Sequence, residues 1–143
     1  MPIVEYPFCR IGPNQPLRPM LPIQIVNPHT KQSVSTIGLI DTGADECAMP
    51  AGFADMLGHN LLVGKLKQIM TGNGVTAAYS HTTRINIFDR DDLKKIVYTI
   101  PDTEIDFMPN LQTVLLGARN FLAKFILTVD YPAQRFSVQT KLK

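Results

Sequence analysis

The 143-residue chain is 45% hydrophobic and carries a formal net charge of +2 from 14 basic and 12 acidic side chains. That length and apolar content suit one compact domain with its own core and exclude a duplicated, two-lobed chain. So even a charge balance leaves no electrostatic footprint for nucleic acid or an anionic membrane.

Cys9 and Cys47 lack metal-ligand spacing and are too few for a disulfide scaffold, which fits free thiols in a reducing compartment. The N-terminus has no basic stretch followed by an apolar one, and no window approaches the ~20 apolar residues of a membrane span. The expected location is cytoplasmic.

Pro13, Pro16, Pro19 and Pro22 exclude a helix over residues 10–22 and favour an extended N-terminal arm, taken as residues 1–17, ahead of a domain over 18–143. The folded part is expected to start near Met20. "MLPIQIV" (20–26) alternates at Leu21, Ile23 and Ile25, "NPHTKQ" (27–32) supplies turn residues, and "SVSTIGLID" (33–41) returns as a second strand. Pro22 marks an edge or strand-start position. "PAGFADMLG" (50–58) predicts a short helix with Pro50 at its first position and Gly58 at its C-terminus.

"KLKQIMTGNGVTAAYSHTTRINIF" (65–88) reads as two strands around "TGNG" (71–74), a long hairpin whose tip tolerates positive φ. "DRDD" (89–92) is a solvated turn and "KKIVYTIP" (94–101) a strand. "LQTVLLG" (111–117) ends in the unbroken apolar run of a strand buried on both faces, and in "ARNFLAKF" (118–125) Phe121, Leu122 and Phe125 stand at helical spacing. "FILTVDY" (125–131) and "RFSVQT" (135–140) form a last hairpin. Short strands with one or two brief helices predict an all-β, closed or sandwich-like fold.

One stretch breaks the pattern. In "GLIDTGAD" (38–45) the carboxylate of Asp41 stands where an apolar strand runs into a tight turn. A strand end there aims the acid outward from a rigid base, with Thr42 able to hydrogen-bond across and Gly43 allowing close backbone approach. An ordinary Asx turn would use the same residues. Elsewhere the polar residues offer less. His29, His59 and His81 share no ligand spacing and read as turn or surface residues; Asp89, Asp91 and Asp92 lack the glycine and distal glutamate of a calcium loop. Cys47 reads as a buried thiol. No metal and no organic cofactor is implied.

The chain resembles the retropepsin-like aspartic proteases, the single-domain branch of the acid proteases. The resemblance rests on "LIDTGAD" (39–45), on "IMTGNGVTAAY" (69–79) in the place of the family's flap, and on "VLLGARNFL" (114–122) in the place of its apolar-apolar-Gly element, and it runs from about Arg18 to Val138. It implies a closed, barrel-like acid-protease fold, one lobe per chain, with Asp41 catalytic and Thr42 and Gly43 completing its turn. Substrate contacts fall by the same resemblance on Ala44, Asp45, Thr71, Gly72, Asn73 and Gly74. Arg18, Gly117 and Arg119 take dimer or structural roles, Arg119 being the residue expected to pair with Asp45. Members often run Gly-Arg-Asn directly, whereas this chain has Gly117-Ala118-Arg119-Asn120, one residue longer.

The chemistry itself imposes a stoichiometry. Amide hydrolysis by carboxylates needs one ionised group to take a proton from water and one protonated group to polarise the scissile carbonyl, and one Asp cannot be both. With one Asp-Thr-Gly per chain, a competent site needs two Asp41 residues meeting at a two-fold axis and sharing a proton. The expected function is a homodimeric aspartic endopeptidase acting on extended peptide or unfolded protein. Ala44 leaves the pair without the hydroxyl donor that a serine would offer, which moves the expected working range toward mildly acidic or near-neutral pH. The alternative is a catalytically silent dimeric β-barrel module for binding or assembly.

Overall fold

A computed structural model of the chain describes residues 2–72 and 74–140. Among these residues the strands are β1 (Pro2–Pro7), β2 (Met20–Val26), β3 (Ser33–Ile40), β4 (Ala48–Pro50), β5 (Lys65–Thr71), β6 (Gly74–Phe88), β7 (Ile96–Met108), β8 (Val114–Leu116), β9 (Phe125–Asp130) and β10 (Arg135–Thr140). One helix, α1 (Gly52–Met56), follows β4, and 3-10 turns occupy Leu61–Val63 and Leu122–Lys124.

Six strands in the order β2-β3-β8-β4-β7-β6 close on themselves, because β6 also pairs with β2 through Ile23↔Ile87 to Val26↔Arg84. The barrel is mixed: β3 runs parallel to β8 and β4 parallel to β7, and the remaining pairs are antiparallel. Closure hides the strand edges that an open sheet would leave. Strand β5 hangs outside the ring on β6, and β1-β10-β9 form a separate sheet. No helix among the described residues is long and apolar enough to cross a membrane.

The local patterns explain most of this. Leu21, Ile23 and Ile25 alternate inward from β2 and are fully buried, and Pro22 sits just before the Ile23–Val26 stretch that pairs with β6. Strand β7 is longer than the sequence predicts, continuing past Pro101 to Met108. It survives the proline through a bulge: between the pairs Thr83↔Thr103 and Ile85↔Ile100, two residues of β7 face the single Arg84 of β6. Arg84 Nε bonds Asp102 Oδ1 there at 2.9 Å.

Three expectations are corrected. Pro50 is the last residue of β4, paired with Met108, so α1 begins two residues later and spans only five residues. Gly58 does end the turn that follows, at φ +75 with its N–H donating to Asp55 O. Residues 118–125 form no α-helix. The N–H groups of Leu122 and Ala123 reach back five residues, to Gly117 O and Ala118 O, so no regular helical ladder forms and a 3-10 turn at Leu122–Lys124 remains. The folded part also begins before Met20. Within the segment read as an arm, β1 pairs with β10, and Tyr6 and Phe8 join Phe136, Val138, Ile23 and Ile87 in one core cluster. Tyr6 Oη donates to Phe88 O at 2.6 Å, fastening that sheet to the barrel.

Candidate active site

Asp41 is the residue immediately after β3. The strand is held on both sides up to that point: Ile40 N–H donates to Pro19 O, and Asp41 N–H to Leu116 O at 3.2 Å. The chain then turns sharply. Asp41 Oδ1 accepts the Gly43 N–H at 3.0 Å and Asp41 O accepts the Ala44 N–H at 3.2 Å. The acid thus builds an Asx turn with one oxygen and leaves the other without a hydrogen-bond partner among the described residues, half-buried at the end of a closed barrel.

Residues 44–47 are laced to 117–120 behind this turn. Ala118 N–H donates to Ala44 O (2.8 Å), Arg119 N–H to Asp45 O (2.7 Å), and Cys47 N–H to Asn120 Oδ1 (2.8 Å). Gly117 makes the approach feasible, since a Cβ at this position would run into the main chain of Glu46. Asn120 continues the tie by donating to Glu104 O at 3.1 Å. Cys47 lies under this lacing, and burial pushes its thiol up to about 12, the state of an inert core group.

In front of the turn lies a cleft of about 700 Å³ lined by Asp41, Gly43, Ala44, Asp45, Ile69, Leu115 and Arg119 among others. Its size suits several residues of a peptide, or a comparable ligand. One wall belongs to β5, which contributes residues 67–70. Lys67 Nζ lies 2.8 Å from Glu46 Oε2 and 3.1 Å from Asp106 Oδ1, and Ser80 Oγ donates to the same Asp106 oxygen at 2.7 Å. The hydrogen bond to Glu46, followed by that to Asp106, holds the Lys67 ammonium above its ordinary range. Among the described residues no group of three or more His, Cys, Asp or Glu is placed to hold a metal.

Comparison with solved structures matches a crystal structure of a retropepsin-like aspartic protease from Rickettsia conorii at TM-score 0.56, over 81% of this chain and 87% of that one, with 20% identity. The chain has the retropepsin-like fold. No protein-family model matches the sequence, and no curated protein matches it.

Within this retropepsin-like fold the residues singled out from sequence are distributed unevenly. Asp41, Gly43, Ala44, Asp45 and Arg119 share the cleft. Thr42 is exposed at the turn, and its hydroxyl has no hydrogen-bond partner among the described residues. Thr71 ends β5 and Gly72 and Gly74 are exposed at the hairpin tip, outside the cleft lining, while Asn73 lies outside the described residues. Arg18 is exposed and joins Cys9 through two main-chain bonds of 2.8 Å. Arg119 meets Asp45 through the main chain and not through an ion pair. With Ala118 bonded to Ala44 and Arg119 to Asp45, the ladder uses both residues' N–H groups and leaves the guanidinium exposed.

Sequence reasoning missed the Glu46-Lys67-Asp106-Ser80 network and the structural role of Asn120. Asp106 carried a usable signal: in "IDFM" (105–108) it is an acid inside an apolar run, the same anomaly that singled out Asp41.

Proposed function

We propose that this chain is an aspartic endopeptidase that works as a homodimer, each copy supplying one Asp41 to a shared dyad. The observation that carries the reading is the placement of Asp41: a strand-end carboxylate with one oxygen fixed by the Gly43 N–H and the other without a partner among the described residues, at the floor of a cleft walled by a hairpin. One such acid cannot act as base and acid in the same step. A second copy related by a two-fold axis provides the partner. The unpartnered Thr42 hydroxyl, next to Asp41 and exposed, is available to bond across that axis.

In this reading the two carboxyl groups share one proton and hold a water between them. The ionised member takes the proton of the attacking water as the protonated member polarises the scissile carbonyl. The proton then passes to the leaving amine. Hairpins from both copies cover an extended peptide, and pairing to its main chain gives a cleft tolerant of varied side chains.

The test is cleavage of an unstructured protein by wild type and by Asp41→Asn over a range of pH, with and without a pepstatin-type inhibitor. Wild type cleaves and is inhibited, and the variant falls to background. Equal cutting by both proteins refutes the dyad. No cutting at any pH favours a silent binding or assembly module, and a sedimentation profile showing monomer alone at assay concentration removes the shared site.

A further inference from the structure

Among the described residues strand β5 is attached to the barrel along one edge, through its pairing with β6 from Lys65↔Ser80 to Thr71↔Gly74. Such a strand lifts easily unless a side chain ties it down. Leu66 and Met70 are exposed, and Ile69 alone of the apolar side chains on β5 packs inward, against Ala48, Ala78 and Met108. Lys67 reaches from β5 to carboxylates on two other elements: Glu46, just after the Asp41 turn, and Asp106 on β7.

The two acids differ in their surroundings. The Glu46 side chain is 33% exposed, so water stabilises it when Lys67 leaves. The Asp106 side chain is 4% exposed and sits beside Phe107 in the barrel wall, with the Ser80 hydroxyl and the Lys67 ammonium as its side-chain partners. A carboxylate this buried needs its counter-charge. Lifting β5 strips Asp106 of that cation, so the barrel wall itself opposes the movement of the hairpin. Asp106 also anchors the base of the tie to the site, because its N–H donates to Cys47 O at 3.2 Å, six residues beyond Asp41.

We propose that Lys67 is a positioning residue, a latch that fastens the β5–β6 hairpin over the cleft by neutralising buried Asp106 together with Glu46. Its effect on turnover rests on the protease reading; its effect on the hairpin does not. Loss of the ammonium frees β5 without touching Asp41. Arginine keeps the charge and the reach to both acids, and so keeps the latch.

Hydrogen–deuterium exchange on the full chain decides this. Lys67→Met is expected to speed amide exchange over residues 65–71 by about tenfold or more, with β2 and β3 little changed, and Lys67→Arg is expected to restore most of the protection. Should Lys67→Met fail to fold, Glu46→Gln leaves Asp106 its cation and gives a smaller, still local, acceleration. Unchanged exchange over 65–71, or an equal acceleration throughout β2, β3 and β5, overturns the latch. In peptide cleavage Lys67→Met is expected to raise KM severalfold and Lys67→Arg to bring it back; an unchanged KM also counts against the proposal. Absence of cleavage by the wild type counts against the protease reading alone, and the exchange measurement still stands.

Discussion

His59 and His81 stack face to face with ring centroids 4.5 Å apart, both set edge-on against buried Phe107. The hydrogen bonds around His59 fix its proton. Asn27 Oδ1 accepts the His29 N–H, so Asn27 Nδ2 is the donor facing His59 Nδ1 at 3.3 Å, and that ring nitrogen must be an acceptor. The remaining proton sits on Nε2, 3.4 Å from Thr83 Oγ1. Burial, followed by the neighbouring imidazoles of His81 and His29, lowers His59 to about 4.

Acid therefore attacks this corner of the molecule. Because the unfolded chain binds the His59 proton near its ordinary value of about 6.5 and the folded chain does not, the contribution of His59 to stability is complete above that pH and is lost as pH falls toward about 4. Thermal melts between about pH 7 and pH 5 should show the wild-type midpoint falling more steeply than that of His59→Gln. Parallel curves would count against it.

The alkaline side has its own reporter. Burial, helped by the charge of Asp89, pushes the Tyr6 hydroxyl up to about 12, and the bond to Phe88 O needs its proton. The contribution of Tyr6 is complete below the ordinary tyrosine value of about 10 and is lost as pH rises to about 12. Ultraviolet titration should show a late tyrosine step near pH 12, which Tyr6→Phe should abolish. Tyr6→Phe should also cost about 1–2 kcal/mol by orphaning the Phe88 carbonyl. A titration with all tyrosines alike contradicts the assignment.

Gly117→Ala places a methyl group against the Glu46 main chain. Overpacking of this kind costs about 1–3 kcal/mol, roughly 3–12 °C in Tm. Because the displaced segment also carries Asp45, cleavage should fall by at least about tenfold at temperatures where the variant is folded. A variant that melts and cleaves like the wild type would show that the lacing behind Asp41 is slack.

Ala44→Ser adds a hydroxyl within the cleft, three residues from the Asp41 carboxyl. In the proposed dyad a donor there favours the ionised pair, so the acid limb of the pH–rate profile should move to lower pH. Movement upward, or none, contradicts the role assigned to Ala44.

What could be read from sequence was local. The β2–β3, β5–β6 and β9–β10 hairpins follow from alternation and turn residues a few positions apart, and the acid at the end of β3 stands out against its apolar flank. What escaped was long-range. Nothing near Lys67 announces Asp106, and the stack of His59 on His81 exists only because β6 passes the turn after α1. Helical spacing in 118–125 misled because the Leu122 and Ala123 N–H groups bond Gly117 O and Ala118 O, five residues back, which spacing alone does not reveal. Pro50 misled because a proline suits a strand end as well as a helix start.

The parallel pairing of β3 with β8 sets Gly38 beside Val114 and Ile40 beside Leu116, far apart along the chain. A barrel closed by such pairs has high contact order and belongs among slow folders, on the millisecond-to-second scale. Asp41 takes its main-chain anchor from Leu116, so no early, locally folded hairpin holds the acid in place. The carboxylate is set only when the last third of the chain has docked, and a nascent or nicked chain lacking β8 carries the motif without the site.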